Sequence, residues 1–159
     1  MTTGAWYICV ERAPCVSLDK VVDDMTEEQL QHVAAQLKSI LRQMHTVKPK
    51  TLGAHAFTSV GEFTDYFRRM LLYFSAEDWT EQLLSHFPRN APIRFTHRDL
   101  IPRNIIVDGS TITAVVDWAT GGFYPEYWEY CRMYNSDWLT PGWTCILQII
   151  YLALGGTRR

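Results

Sequence analysis

His97-Arg98-Asp99-Leu100-Ile101-Pro102-Arg103-Asn104, followed by Val115-Val116-Asp117-Trp118, is the stretch that decides how this chain reads. Between Asn104 and Asp117 lie two β-type runs, Ile105 to Val107 and Thr111 to Val116, joined by Asp108-Gly109, a hairpin turn signal. A hairpin returns its two ends to one small volume, so Asn104 and Asp117 are expected side by side. Two oxygen ligands in one place suit a divalent cation. Asp99, five positions before Asn104, adds a carboxylate that can orient a hydroxyl and accept its proton. Transfer of a phosphoryl group from ATP needs these parts: a base for the attacking hydroxyl, and oxygen ligands that hold Mg²⁺ against the phosphates.

The spacing is that of the kinase loop H-R-D-L-x-x-x-N, in which the Asp is the base and the Asn a metal ligand, with a second ligand after the hairpin. Asp99 is therefore the candidate base, and Asn104 and Asp117 are the candidate Mg²⁺ ligands. The competing readings are ordinary ones. Asp99 is also a common turn residue, and Asn104 and Asp117 could each cap their own loops. The presence of all three at this spacing favours the chemical reading. His97 reads as a buried hydrogen-bonding scaffold residue rather than an acid or base, because Asp99 already fills that role.

Composition bounds the remainder. The chain has 159 residues, 47% hydrophobic and 13% aromatic, enough for one domain. Fifteen Lys and Arg against seventeen Asp and Glu give a net charge of −2. With no basic block, nothing marks a nucleic acid or an anionic membrane as partner. Cys9, Cys15, Cys131 and Cys145 form no CxxC pair and read as reduced packing residues. No segment has the form of a signal peptide or a membrane span, so a cytoplasmic location is expected.

Working outward, Ala5 to Val10 reads as a strand running into a loop at Glu11-Arg12-Ala13-Pro14. Thr26 and Gln29 form a capping box ahead of Leu30, Val33, Ala34, Leu37, Ile40, Leu41 and Met44, a helical stripe. Ser59 and Glu62 repeat the signal ahead of Phe63, Phe67, Met70, Leu71 and Phe74. A shorter helix carrying Trp79, Leu83 and Phe87 is expected before Pro88. After the hairpin, Tyr127 to Met133 and Trp143 to Leu154 read as helices separated by Pro141-Gly142.

Phe95 to Asn104, Val116-Asp117-Trp118 and Gly122-Phe123-Tyr124-Pro125-Glu126-Tyr127-Trp128-Glu129-Tyr130 occur in an order that resembles the aminoglycoside phosphotransferase and choline kinase-like family, most closely its fungal members. The resemblance implies an α+β fold: a mostly helical, protein kinase-like C-terminal lobe with a catalytic loop and a small β-hairpin. It divides the single partial domain 1–159 into a hinge strand and loop (1–20), helices (21–90), the catalytic loop and hairpin (91–118) and C-terminal helices (119–159). Glu11, Arg12 and Ala13 fall at the hinge, where backbone groups would meet adenine. The family's N-terminal lobe, with its phosphate-covering loop and ATP-anchoring lysine, precedes that hinge and is expected to be absent here.

Several positions depart from the family pattern. Arg98 stands where Gly is common, Ile101 replaces a polar residue, and Ala119 stands where Glu often follows Asp-Trp. Arg103 either compensates for Ile101 or faces solvent. Tyr124 to Tyr130 combine acids and rings, a kit that could hold a cationic amine or simply pack the following helix. The function implied is ATP- and Mg²⁺-dependent phosphoryl transfer to a hydroxyl on a small molecule. The contrasting expectation is a non-catalytic remnant or binding module acting through an exposed hinge edge at Trp6, Tyr7 and Ile8, which would self-associate or meet a missing N-terminal lobe. A truncated gene model is the third.

Overall fold

Thr26 closes the first turn of helix α1 (Glu27–Met44): its hydroxyl accepts from the Gln29 amide at 3.4 Å, and the Gln29 side chain accepts from the Thr26 amide at 2.8 Å. This is the expected capping box. The computed structural model describes residues 15–48 and 55–152. Besides α1 it contains β1 (Val16–Ser17), β2 (His55–Ala56), α2 (Val60–Leu72), α3 (Glu77–Ser85), β3 (Ile93–Thr96), β4 (Ile105–Asp108), β5 (Thr111–Val115), β6 (Gly122–Pro125), α4 (Tyr127–Met133) and α5 (Pro141–Leu152), an α+β arrangement.

Leu30, Val33, Ala34, Leu37, Leu41 and Met44 bury one face of α1 against Trp143, Ile146, Leu147 and Ile150 of α5. The same core takes in Leu18, Leu100, Ile105 and Val107, so the loop carrying Asp99 is anchored from below by its own apolar residues. A second cluster gathers Phe57, Phe63 and Tyr124, with Phe67, Phe87, Tyr127 and Trp128 packed on it. It fixes α2, and the segment just after α3 through Phe87, against β6 and the start of α4.

Two small sheets position the loop. In one, β4 lies between β1 and β5, antiparallel to both. The β4–β5 hairpin turns at Gly109–Ser110, with Gly109 at φ 58°, one residue beyond the Asp108-Gly109 pair singled out from sequence. In the other sheet, β6 lies between β2, which runs parallel to it, and β3, which runs antiparallel, with Ile93 opposite Pro125 and Thr96 opposite Gly122. Neither β2 nor β6 was expected from sequence.

Three local expectations are corrected. Pro141-Gly142 does not separate helices but opens α5, since Pro is tolerated in a first helical turn. A Cβ on Gly142 would stand 2.3 Å from the Val22 carbonyl oxygen, so only glycine lets α5 start this close to the chain ahead of α1. In α3 the buried positions are Thr80 and Leu84, whereas Trp79 is half exposed and Phe87 lies beyond the helix end. Cys15 and Cys131 are exposed and not core packing; they and Cys145 are free thiols.

At α2, Ser59 caps through the Glu62 amide at 3.1 Å, but the Glu62 carboxylate reaches Thr58 instead of Ser59. The expected strand at 5–10, the hinge residues Glu11, Arg12 and Ala13, the edge at Trp6 to Ile8, and Cys9 lie outside the described residues. Among the described residues, no helix is long and apolar enough to cross a membrane.

Candidate functional site

β3 ends at Thr96, and the chain then turns through His97 and Arg98, whose φ of 68° is left-handed. Glycine would adopt that angle without the strain a side chain adds. The amides of His97 and Arg98 both donate to the Glu129 carboxylate, Arg98 to Oε1 at 3.1 Å. Glu129 sits on α4 and is 2% exposed. Burial pushes its carboxyl up to about 7, while the two amides and the Arg132 and Arg98 guanidiniums pull it down.

His97 is fully buried and ties two segments together. Its Nδ1 accepts from the Asp99 amide at 3.2 Å, so Nε2 carries the proton donated to the Val116 carbonyl at 2.9 Å. Burial lowers its pKa, against the Val116 hydrogen bond and the charges of Asp99 and Asp117. The imidazole is thus a neutral strut, as the sequence suggested. Trp118 caps it, with ring centroids 4.4 Å apart, and stacks on Phe95.

Asp99 and Asn104 are in direct contact. The Asn104 side-chain amide donates to the Asp99 carbonyl at 2.8 Å and to Asp99 Oδ2 at 2.9 Å. Since both bonds use Nδ2, the amide oxygen is left as the free donor atom for a cation. Asn104 also accepts, through its main-chain carbonyl, from the Val116 amide at 2.9 Å. That bond closes the hairpin at its open end and brings Asp117 next to Asn104. Asp117 is itself left-handed, at φ 63° and ψ 58°, and its exposed carboxylate caps nothing. Strain of this kind in a non-glycine residue gathers at functional positions.

The three residues are therefore gathered, whereas Glu11, Arg12 and Ala13 lie outside the described residues. Among the described residues no three His, Cys, Asp or Glu side chains cluster as a metal cage. The available oxygens are one amide and one carboxylate. Such a pair fits Mg²⁺, which takes few protein ligands and completes its octahedron with phosphate oxygens and water.

Sequence reasoning missed Glu129 and Arg132 as loop supports. Their signal was present: three positions apart on the expected helix 127–133, they share one face. Arg132 Nε donates to the Arg98 carbonyl at 3.0 Å, and its Nη2 lies 3.8 Å from Asp99 Oδ1. Arg103 does not simply face solvent, since its Nη2 lies 3.4 Å from Asp99 Oδ2. The aromatic segment around Glu126 is used for packing. Tyr124 lies under the Arg98 guanidinium, 4.6 Å from ring centroid to Cζ, and Tyr127 and Trp128 pack on Phe63.

A profile of the phosphotransferase enzyme family matches residues 5–158. No curated protein matches the chain. Among solved structures, macrolide 2′-phosphotransferase from Brachybacterium faecium is similar at TM-score 0.55 and 22% identity, over 81% of this chain and 46% of that one. Aminoglycoside-3′-phosphotransferase of type VIII is similar at TM-score 0.60 and 18% identity, over 94% and 62%. A thermostable mutant of another aminoglycoside phosphotransferase, in ternary complex with ADP and hygromycin B, is similar at TM-score 0.53 and 19% identity, over 76% and 47%. At these identities the likeness is one of fold, and it is the kinase-like fold the sequence implied. The chain spans about half to three fifths of the length of these proteins.

Proposed function

The chain belongs to the phosphotransferase enzyme family, and from that premise we propose that it transfers a phosphoryl group from ATP to a hydroxyl on a small molecule. Asp99 takes the hydroxyl proton as the hydroxyl oxygen bonds to the γ-phosphorus and the bond to ADP breaks. Mg²⁺, held by the Asn104 amide oxygen and the Asp117 carboxylate, would draw the phosphates together and neutralise their charge. Arg98 and His97 present Asp99 through a backbone held by Glu129. The bond from the Val116 amide to the Asn104 carbonyl ties the residue before Asp117 to Asn104, which supports a shared role for the pair. The hinge at Glu11, Arg12 and Ala13 is the proposed adenine contact, by resemblance alone, and the cytoplasm the proposed place of action.

The observation that carries this reading is the Asn104 amide bound to both oxygens of Asp99 that face it. A loop asparagine merely capping its own turn has no need to hold a carboxylate five residues back while leaving its own oxygen open. Positioning of this kind is most of what phosphoryl transfer asks of a protein. The test is an acceptor screen with the full chain, following ADP release and phosphorylated product. Acceptor-dependent product that disappears in Asp99→Asn supports the reading. Acceptor-dependent product undiminished in Asp99→Asn would remove Asp99 from the chemistry.

A further inference from the structure

Two arginines flank the carboxylate proposed above as proton acceptor. Arg103 Nη2 lies 3.4 Å from Asp99 Oδ2, and Arg132 Nη2 lies 3.8 Å from Asp99 Oδ1. Their side chains are 51% and 41% exposed, against 21% for Asp99, so both arginines are more open to solvent than the carboxylate they flank. Each is also held in place. Arg103 lies over the Trp138 ring with Cζ 5.3 Å from its centroid, and Arg132 is anchored through Nε to the Arg98 carbonyl. Among the described residues, each uses one of its five N–H donors in a hydrogen bond, and the others remain open. The third guanidinium, Arg98, is turned inward onto Tyr124.

One carboxylate thus faces two exposed cations at the place where the acceptor hydroxyl must arrive. We propose that the acceptor carries an anionic group, a carboxylate or a phosphate monoester, close to its reacting hydroxyl, and that Arg103 and Arg132 bind that group. The proposal rests on the phosphotransferase reading. Planar forks with open donors match the oxygens of such anions. The same two charges repel an acceptor that bears ammonium groups beside its hydroxyl, so the site selects against cationic acceptors.

The test titrates the full chain, saturated with Mg²⁺ and ADP, with glucuronate, glycerol phosphate, glucose and glucosamine, followed by calorimetry. At least one of the two anions is expected to bind tenfold or more tightly than glucose, with glucosamine weakest. Arg103→Gln with Arg132→Gln should abolish that preference, Arg103→Lys with Arg132→Lys should restore much of it, and neither pair should change the affinity for ADP. Which anion binds distinguishes carboxylate from phosphate recognition. Equal binding of all four probes, tighter binding of glucosamine, or no binding of either anion would overturn the proposal. So would anions displaced by ADP, or weakened ADP binding in the glutamine pair, since the arginines would then hold the nucleotide. ADP bound without an anion preference sinks this inference and spares the phosphotransferase reading; failure of ADP to bind removes the premise of both.

Discussion

The side-chain amide of Asn104 holds Asp99 twice, at its main-chain carbonyl (2.8 Å) and at its carboxylate (2.9 Å). The bond fixes the rotamer of Asp99 and orients Asn104 so that its oxygen is open. In the proposed reaction one residue would therefore both position the proton acceptor and offer a ligand to the cation, coupling two requirements of the chemistry.

Asn104→Ala removes both. Transfer is expected to fall by about a hundredfold or more, and more Mg²⁺ should be needed for half-maximal rate. The fold should lose about 1–2 kcal/mol with the two hydrogen bonds. Initial rates against Mg²⁺ concentration and urea melts measure the two losses separately; a full rate at unchanged Mg²⁺ dependence would deny Asn104 its place in the site.

Asp117 holds a left-handed backbone that glycine adopts more cheaply. Asp117→Gly is therefore expected to keep or raise stability, by about 1 kcal/mol at most, while losing Mg²⁺-dependent nucleotide binding. Thermal melts and calorimetry on the same preparation check this. A variant that is destabilised and still binds would reverse the assignment.

Glu129 predicts a pH signature. Its carboxyl is raised from 4.5 to about 7 by burial, so between these values the folded state holds more protons than the unfolded one. Stability from this group is fully present below the ordinary carboxylate range and is lost as pH rises toward 7, on the order of 3 kcal/mol. Glu129→Gln should flatten that slope in urea melts between about pH 5 and pH 7.5. His97, whose neutral form the fold prefers, contributes the opposite slope as pH falls below 6.5 in both proteins, so the difference between them reports Glu129. Equal slopes would mean that the charge is already offset by the loop amides and arginines.

Gly142 predicts a purely structural effect. Gly142→Ala places a methyl group against the Val22 carbonyl and also crowds the 2.8 Å bond from the Gly142 amide to Asp23. A loss of about 1–3 kcal/mol is expected in thermal melts, with unaltered nucleotide affinity at a temperature where the protein is folded.

Much of this was legible because it is local. The Thr26–Gln29 box, the stripe of α1 and the β4–β5 hairpin follow from spacing within a few residues. The contact between Asp99 and Asn104 spans only five. What was illegible depends on partners far along the chain. The two-residue strand β2 exists because His55 and Ala56 meet Gly122 and Phe123, and nothing in two residues announces that. Glu129 looks like a helix-start acid until the fold brings it under His97 and Arg98. Pro141-Gly142 reads as a break, yet the glycine serves a close approach to Val22 that only the packed structure reveals.

In the proposed mechanism Asn104 and Asp117 form a cation-dependent nucleotide site beside Asp99. Calorimetric titration of the full chain with ATP, with and without Mg²⁺ and with Asp117→Ala in parallel, tests it most directly. Binding is expected to require Mg²⁺ and to be lost in the variant. ATP binding indifferent to both Mg²⁺ and Asp117, or no binding by a folded sample, would contradict it.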